Sequence, residues 1–579
     1  MTVAPGRRSI LAMSEPPWFR FYEQGVPRSV AYPELTLPQA LDRSAARFPR
    51  KVALRFFLDA RLPVPTTTYE QLREQSLRFA SALFRLGVRK GDRVALMLPN
   101  CPQYVVALYG ALRLGAVVVN VSPLYVAREL REQLDDAGCE TIVILDQLLP
   151  RLREIHAATQ VRRVVVVDLT ESLPLPFRLL ARLAQRRRGE RPRVSAAPDL
   201  HGFAALVACH QPEPPGADLR PDDVALLQYT GGTTGTPRAA MLSHRNLVAN
   251  SLQAAAWFPR AAEGREVFLG ALPFFHVYGF TTVLLFGVWA AAEIVLVPRP
   301  RPVDVVLAAI QRFRITLFPG VPTLYAAINE HPRVRDYDLK SGALCVSGAA
   351  PLPREVSERF EALTGGRLVE GYGLTESSPL THCTPLFGER RTGSIGLPMP
   401  DTEARVVDLE TGEPLPPGHD GELAVRGPQV MLGYWQRPEE TAEVLRDGWL
   451  LTGDIGHMDA DGFFYVVDRR KDMIDASGFK VLPREVEEVL FMHPAIAEAC
   501  VAGVPDAYRG ETVKAFVVLR PGESLAVAEI VDFCRLHLAA YKVPRQVEIR
   551  DELPKSMVGK YLRRVLVEEE RQARSAPEA

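Results

Sequence analysis

The first half of the chain alternates short apolar runs, rich in β-branched residues, with longer stretches whose apolar residues recur every three or four positions. The runs at 92–98, 116–121 and 140–146 predict buried strands, and the stretch at 103–115 predicts a helix between the first two. Buried parallel strands joined by helices give this pattern. We therefore predict an α/β fold for this part of the chain.

The pattern changes from about residue 391. Short strands separated by Gly/Pro turns over 391–467 predict a small β-rich subdomain. A last compact unit follows, with predicted helices at 484–491 and 526–539 and a strand at 514–519. This alternation predicts a separate α+β unit at the C-terminal end.

One apolar segment is long enough to cross a membrane. Residues 267–292 contain no Asp, Glu, Lys or Arg over 26 positions, more than a spanning helix requires. Gly270, Pro273 and Gly279 would, however, interrupt a lipid-facing helix in its first half. We predict a buried strand, a turn and then a core helix.

Composition narrows the class of protein. Of 579 residues 47% are hydrophobic, and 69 basic residues balance 69 acidic ones, so the whole chain has no general attraction to nucleic acid. Seven cysteines stand singly without a C-x-x-C pair, which predicts free thiols in a reducing cytoplasm and no structural metal. The apolar run after Arg7 and Arg8 is too short for a cleaved targeting peptide.

The segment 177–193 is strongly basic, with seven arginines and one glutamate. A helix here would place Phe177 and Leu180 on one face and Arg178 and Arg182 on another. Such a helix is typical of a contact with an anionic membrane surface. A solvated surface insertion gives the same pattern, and the sequence leaves both interpretations open.

The stretch "YTGGTTGTPRAAMLSH" at 229–244 carries the first candidate chemistry. Its glycines allow consecutive N–H groups to converge on one anion, and its threonines add hydroxyl donors. It follows an apolar strand and precedes a helix that Ser243 could cap. The spacing of Gly235 and Arg238 does not match the Walker pattern for a phosphate-binding loop. The stretch predicts a phosphate-binding loop of another type.

Four further stretches support a nucleotide site. "GYGLTE" at 371–376 offers Tyr372 to a flat ring and Glu376, beside Thr375, to Mg²⁺. "TGD" supplies Asp454, an acid suited to ribose hydroxyls. Basic stretches at 468–487 and 553–564 add cations. Each stretch alone has a structural explanation, but five in this order favour a nucleotide-dependent enzyme.

Together these stretches resemble the signature motifs of the adenylate-forming superfamily, which includes acyl-CoA synthetases, luciferases and the adenylation domains of peptide synthetases. The resemblance covers about 35–565. It is strongest to bacterial long-chain fatty-acid–CoA ligases, on "LMLPNCPQYVVALYGALRLGAVVVNVSPLY", "LQYTGGTTG" and "LPKSMVGKYLRR". The implied fold is a large N-terminal domain of two α/β subdomains plus a small β-barrel, followed by a mobile small α+β domain.

The resemblance implies domain boundaries and a two-step reaction. The expected parts are an N-terminal extension (1–34), an AMP- and acyl-binding domain (35–469), a mobile domain (470–565) and a charged tail (566–579). A fatty carboxylate attacks ATP, giving acyl-adenylate and pyrophosphate, and coenzyme A then displaces AMP. ATP, coenzyme A and Mg²⁺ are therefore expected, together with a cytoplasmic location, peripheral at the inner membrane face, and a homodimer.

The resemblance also assigns site residues. The expected catalytic residues are Lys560, Glu376 (with Mg²⁺), Thr375 and His276. The expected ATP-binding residues are Thr230, Gly231, Gly232, Thr233, Thr234, Gly235, Thr236, Arg238, Gly348, Ala349, Ala350, Pro351, Gly371, Tyr372, Gly373, Asp454 and Arg469. Lys471 matches the hinge, Gly478 the coenzyme A passage, and Tyr278 and Phe280 the acyl pocket.

The chain departs from the family pattern in the phosphate loop. Relatives usually have Pro-Lys-Gly where this chain has Pro237, Arg238 and Ala239. Arginine keeps the charge, whereas alanine would resist a positive φ if the loop required one. We expect activity to persist.

Two alternatives to a CoA ligase follow from the same motifs. A fatty-acyl-AMP ligase would pass the adenylate to a carrier protein, but the insertion typical of such enzymes is not evident between 427 and 484. A non-catalytic fatty-acid- or nucleotide-binding protein would not need the full set of Glu376, Asp454, Arg469 and Lys560. A peptide-synthetase module is disfavoured because only 19 residues follow Lys560.

Overall fold

A computed structural model describes residues 15–188, 198–230, 237–341, 343–470, 472–476, 479–506, 510–555 and 561–575. Within these ranges the strands form three sheets of 14, 8 and 5 strands. The two larger sheets share one extended hydrophobic core, and the smallest has a core of its own.

The largest sheet has a parallel run from Val52–Phe56 to Arg367–Gly373 and antiparallel strands on both sides of that run. In spatial order its strands are Glu403–Val407, Gly421–Arg426, Trp449–Met458, Phe464–Arg469, Ser394–Pro398, Leu380–Cys383, Arg367–Gly373, Leu344–Ser347, Leu317–Gly320, Val267–Gly270, Glu293–Leu296, Val52–Phe56 and Thr66–Thr68, with Leu445–Arg446 beside Trp449–Met458. The β-rich segment expected at 391–467 is thus present, and its described strands continue the α/β sheet in an open order.

The second sheet contains the strands predicted in the first half of the chain. In order they are Gly433–Tyr434, Arg238–Ser243, Val224–Thr230, Val117–Asn120, Arg93–Met97, Thr141–Leu145, Arg163–Val167 and Leu200–Gly202. The third sheet comprises Phe479–Val481, Ile474–Ala476, Gly510–Leu519 and Ile496–Asp506, with Gln546–Ile549 beside Gly510–Leu519.

Helices cover the sheets and join the parallel strands. The α-helices are Leu37–Arg47, Tyr69–Arg85, Pro102–Arg113, Ala127–Ala137, Leu149–Ile155, Leu175–Arg187, Phe203–Cys209, His244–Trp257, Val277–Gly279, Phe286–Trp289, Asp304–Phe313, Pro322–Glu330, Arg354–Thr364, Pro438–Val444, Pro483–Phe491, Val527–His537 and Arg563–Ser575. Short 3₁₀ turns are Pro17–Phe21, Asp146–Leu148, His156–Ala158, Leu169–Ser172, Val334–Asp336 and Thr375–Ser377. The α/β fold class is confirmed.

The apolar segment 267–292 forms a buried strand, a turn and a buried helix, as predicted. The strand Val267–Gly270 lies inside the largest sheet, and the helix includes a π-helical stretch at Phe280–Leu285. All residues of the π-helical stretch are buried. No helix among the described residues is both long enough and apolar enough to cross a membrane.

Gly396 fixes the strand next to the Leu380–Cys383 strand. It has a φ of +94°, and a Cβ there would lie 2.2 Å from the carbonyl carbon of Cys383. We expect Gly396→Ala to lower the free energy of unfolding by at least about 3 kcal/mol, because rigid backbone would have to move. Urea unfolding followed by tryptophan fluorescence measures this change.

The matched control is Gly393→Ala. Gly393 has a φ of +77°, but nothing lies within 4 Å of a Cβ built there. Gly393→Ala should therefore lower the free energy of unfolding by only about 1–2 kcal/mol, which is the cost of a non-glycine residue in the left-handed conformation. Equal losses in the two variants would contradict the role given to the contact at Gly396.

Candidate active site

Two antiparallel strands, which we call the phosphate-loop hairpin, flank the predicted phosphate loop. Strand Val224–Thr230 pairs antiparallel with Arg238–Ser243, and Thr230 stands opposite Arg238 at the base of the loop. The sequence did not reveal the second strand, which occupies the space between the loop and the next helix. Ser243 caps that helix as predicted, since its hydroxyl accepts a hydrogen bond from the Asn246 N–H at 3.1 Å.

Ala239 causes no backbone strain in this hairpin. It lies in the second strand opposite Tyr229 and is not among the residues with positive φ. Its carbonyl accepts a hydrogen bond from the Trp435 N–H at 2.8 Å. The conditional concern about alanine at this position therefore does not apply, because this position is ordinary extended backbone.

Arg238 is held beside an acid. Its guanidinium forms an ion pair with Glu440 and lies 5.5 Å from the ring centroid of Tyr434. The Arg238 side chain is only 12% exposed, so both contacts are partly shielded from water. The cation that the sequence assigned to phosphate is thus oriented at the base of the loop.

Glu376 is fixed by the same neighbouring segment, 431–435. The Tyr434 hydroxyl donates to Glu376 Oε1 at 2.8 Å, and the Met431 N–H donates to the Glu376 carbonyl at 2.8 Å. Thr375 lies in the same short 3₁₀ turn, Thr375–Ser377. Burial and the nearby carboxylate raise the pKa of Tyr434, so its hydroxyl remains a donor.

Tyr372, Asp454 and Arg469 form a second cluster. The Tyr372 hydroxyl donates to Asp454 Oδ2 at 2.6 Å, and Arg469 Nε lies 3.1 Å from Asp454 Oδ1. Asp454 and Arg469 are opposite each other on adjacent antiparallel strands. Burial works against the Arg469 charge, but Asp454 and the other acidic groups nearby together outweigh burial and raise the pKa of the guanidinium.

The contact between Tyr372 and Asp454 requires a strongly curled sheet. Three strands separate Arg367–Gly373 from Trp449–Met458 in the strand order. A flat sheet would place the two strands about 19 Å apart, at about 4.8 Å per strand. Because the sheet curls, residues that are 82 positions apart in the chain share one hydrogen bond.

The expected adenine-flanking residues lie at the ends of two neighbouring parallel strands. Gly348 follows strand Leu344–Ser347, and a Cβ at Gly348 would lie 2.9 Å from the Tyr278 ring. Ala349 has a φ of +69°, a conformation that non-glycine residues rarely adopt. Ala350 and Pro351 continue this loop. Strained backbone beside an aromatic ring is typical of binding sites.

Gly371 and Gly373 allow close packing around Tyr372. A Cβ at Gly373 would lie 1.9 Å from the Pro379 carbonyl oxygen, and one at Gly371 would lie 2.7 Å from a Val346 methyl. Only glycine therefore fits on either side of the tyrosine ring.

The expected acyl-pocket residues line the start of the buried helix. The Tyr278 hydroxyl donates to the Val346 carbonyl at 2.8 Å, and Phe280 is fully buried. His276 precedes the helix, and burial lowers its pKa to about 4. The imidazole is therefore neutral near neutral pH.

Several predicted residues lie outside the described ranges. They are Gly231, Gly232, Thr233, Thr234, Gly235, Thr236, Lys471, Gly478 and Lys560. Their assignments stay predictions.

Sequence reasoning missed three residues of this region. Tyr434 orients Glu376, Glu440 pairs with Arg238, and His382 packs against the Tyr372 ring at 5.8 Å. Tyr434 is 58 positions from Glu376 and belongs to no motif, so no local pattern could have identified it.

The donor set around Glu376 suits Mg²⁺. The described residues contain no cluster of three or more His, Cys, Asp or Glu side chains that could hold a metal by itself. Mg²⁺ in nucleotide sites is usually bound by one or two carboxylates together with substrate phosphates. The single oriented carboxylate of Glu376, close to the strands that flank the predicted phosphate loop, is consistent with this mode of Mg²⁺ binding.

Comparison with known proteins identifies the family. The AMP-binding enzyme model matches residues 41–435, and the AMP-binding enzyme C-terminal domain model matches residues 485–560. The chain belongs to the AMP-binding enzyme family. AMP-binding enzymes form acyl-adenylates from ATP, which agrees with the site described above.

Relatives and solved structures agree with this assignment. A long-chain-fatty-acid–CoA ligase of Bacillus subtilis is 46% identical over 96% of this chain and 98% of its own length. One of Escherichia coli O157:H7 is 44% identical over 87% and 90%. The solved structure of an anthranilate CoA ligase with anthranoyl-AMP has a TM-score of 0.79 at 28% identity, covering 94% of this chain and 98% of that one.

His382 should make the stability of this AMP-binding enzyme depend on pH. Burial lowers its pKa to about 3, and its Nε2 has no partner among the described atoms. As the pH falls, the His382 imidazole therefore binds a proton in the unfolded state but not in the folded state, so acid favours unfolding. We expect this residue to remove about 2 kcal/mol of unfolding free energy between about pH 7 and pH 5.

Urea unfolding across this pH range tests the expectation. His382→Asn should lose that part of the pH slope, whatever its effect on stability at pH 7. His419→Asn, at an exposed histidine, is the control and should keep the full slope. An unchanged slope in His382→Asn would refute the assignment.

Proposed function

We propose that this protein activates a medium- to long-chain fatty acid as its acyl-adenylate and transfers the acyl group to coenzyme A. The carboxylate attacks the α-phosphorus of ATP and pyrophosphate leaves; the thiol then attacks the acyl carbon and AMP leaves. The proposal rests on one combination of features. The Asp454–Arg469 pair and the oriented Glu376 occur in a chain that is 46% identical, over nearly its whole length, to a long-chain-fatty-acid–CoA ligase.

The described side chains suggest how ATP is bound. Asp454, held by Tyr372 and Arg469, would accept the ribose hydroxyls, while the loop at 230–238 would bind the outer phosphates. The Gly348–Pro351 loop and Tyr372 would flank the adenine. Glu376 would hold Mg²⁺, which disperses the phosphate charge that develops during attack.

The second step would need a rearrangement of the C-terminal domain. We place its boundary at 469/470, with Lys471 as the hinge, Gly478 beside the coenzyme A passage and 566–579 as a charged tail. Lys560 would offset the repulsion between carboxylate and α-phosphate, so it should serve the first step and not the second.

The acid's chain would run along the buried helix after His276. Tyr278 and Phe280 lie at its start, in apolar surroundings suited to an alkyl chain. Because His276 is neutral, it would act there as a hydrogen-bonding group and not as a cation.

The proposed setting is the cytoplasm, at the inner membrane face. All seven cysteines are free thiols, which suits a reducing compartment. The homodimer stays a prediction.

A product assay tests the function. The full chain is incubated with ATP, Mg²⁺ and saturated fatty acids of increasing length, with and without coenzyme A, and products are measured by mass spectrometry. We expect acyl-CoA only with coenzyme A, accompanied by AMP and pyrophosphate. Acyl-AMP that accumulates without becoming thioester would favour the acyl-AMP ligase alternative, and the absence of AMP with every acid would favour a non-catalytic binding protein.

Lys560→Ala separates the two steps. It should slow adenylate formation about 10²–10³-fold while supplied acyl-adenylate is still converted to acyl-CoA. Lys555→Ala, which removes a lysine paired with Glu498, is the control and should leave both steps near wild type.

Tyr434→Phe tests the positioning of Glu376. The change removes one donor to the carboxylate and keeps the ring beneath Arg238, so we expect kcat/KM for ATP to fall about tenfold. The Mg²⁺ concentration needed for half-maximal rate should rise as well. Rates measured across a Mg²⁺ titration give both values.

Tyr32→Phe is the matched control for that variant. It removes a similar hydroxyl–carboxylate bond, Tyr32 to Asp401 at 2.7 Å, elsewhere in the molecule. If both variants shift the Mg²⁺ dependence equally, or neither does, Tyr434 does not position a metal-binding carboxylate.

A further inference from the structure

The helix Leu175–Arg187 is oriented with its apolar face outward. None of its residues is buried, and its leucines at 175, 179, 180 and 183, which lie within about two turns, are all exposed. Their exposures are 67% for Leu175, 58% for Leu179, 64% for Leu180 and 47% for Leu183.

Arginines hold the inner face of this helix, which we call the arginine-anchored helix. Arg182 lies 2.7 Å from Asp168 and 3.4 Å from Glu171, and Arg178 lies 3.6 Å from Glu171. Both acids belong to the short turn that precedes the helix, where Asp168 also accepts a hydrogen bond from the Thr170 N–H. The ion pairs therefore fix which face points outward.

This orientation is the reverse of that in other amphipathic helices of the chain. Helix Ala127–Ala137, for example, buries Leu130 and Leu134 and exposes its charged residues. Single exposed leucines are common on protein surfaces, but a contiguous apolar stripe usually marks an interaction surface. We therefore expect the outward apolar stripe of the arginine-anchored helix to contact a partner.

The charge around the stripe indicates what that partner is. Residues 175–188 contain five arginines and no acid. Two of these arginines are paired inward, whereas Arg186, Arg187 and Arg188 are exposed at the end of the stripe. An apolar face bordered by arginines is complementary to a bilayer with anionic headgroups.

We propose that the arginine-anchored helix docks the enzyme on an anionic membrane surface, with its leucines among the acyl chains and Arg186–Arg188 at the headgroups. Its 13 residues span about 20 Å, too short to cross a bilayer core of about 30 Å, so it lies in the membrane plane. The inference gives the proposed membrane location a specific surface and rests on that part of the proposed function.

A second copy of the chain fits the stripe less well. Packing two such helices together would bring their exposed arginine clusters into one neighbourhood, where like charges repel. An anionic lipid surface instead neutralises them.

Vesicle flotation of the full chain tests the proposal, without substrates. We expect wild type to float with vesicles of phosphatidylcholine and phosphatidylglycerol, and much less with phosphatidylcholine alone. Leu179→Gln/Leu183→Gln should lower binding to the mixed vesicles at least about tenfold. Arg186→Gln/Arg187→Gln should lower it about 25-fold, at about fivefold per arginine, and added salt should also weaken binding.

Leu124→Gln/Leu536→Gln is the matched control, since both leucines are exposed on other surfaces (58% and 79%). It should float like wild type. Acyl-CoA formation from a water-soluble acid without vesicles should be equal in wild type and Leu179→Gln/Leu183→Gln, which shows that the variant is folded. Because flotation needs no turnover, failure of the ligase proposal and failure of membrane docking remain distinguishable.

Three results would overturn the proposal. The first is that wild type does not float with either kind of vesicle, and the second is that the leucine variant floats like wild type. The third is that sedimentation velocity shows a wild-type dimer, which the leucine variant loses while its flotation is unaffected. The last result would assign the stripe to a second copy of the chain.

Discussion

The five residues 431–435 hold together two elements of the proposed ATP site: the strands that flank the predicted phosphate loop and the turn that carries Glu376. Their backbone pairs with the phosphate-loop hairpin through Leu432 and Trp435, while Met431 and Tyr434 hold the turn that carries Glu376. Hairpin and turn come from different sheets and could otherwise shift relative to each other. Because extended backbone offers hydrogen bonds in opposite directions, one short segment can fix both, and the rest of the site is built around that fixed pair.

Burial increases the effect of this arrangement. Asp454 and Glu376 are each oriented by a tyrosine hydroxyl. Asp454 is buried, and there a hydrogen bond to a carboxylate is stronger than in water. Burial keeps His382, which packs against the Tyr372 ring, neutral, so it adds no competing positive charge there. A nucleotide would thus meet carboxylates already in position, which lowers the reorganisation needed on binding.

The arginine-anchored helix follows the opposite rule. Helices such as Ala127–Ala137 bury their leucines, whereas here ion pairs to Asp168 and Glu171 face inward and a row of leucines faces solvent. An enzyme whose substrate partitions into membranes gains by presenting apolar surface outside its core, because docking then brings its site to the substrate.

The sequence alone determined what depends on local pattern: the α/β class, the strands and helix around 92–146 and the Ser243 cap. It also supplied the motif residues to which we assign the chemistry. Spacing and residue type suffice there, since each feature is complete within a few turns or one strand. The sequence could not reveal that Tyr372 meets Asp454 or that Tyr434 orients Glu376, because these contacts exist only once distant strands curl together. It also predicted two faces for a helix in the segment 177–193, but not which face points outward. That choice was made by acids on a preceding turn, and only the tertiary structure places them beneath the arginines.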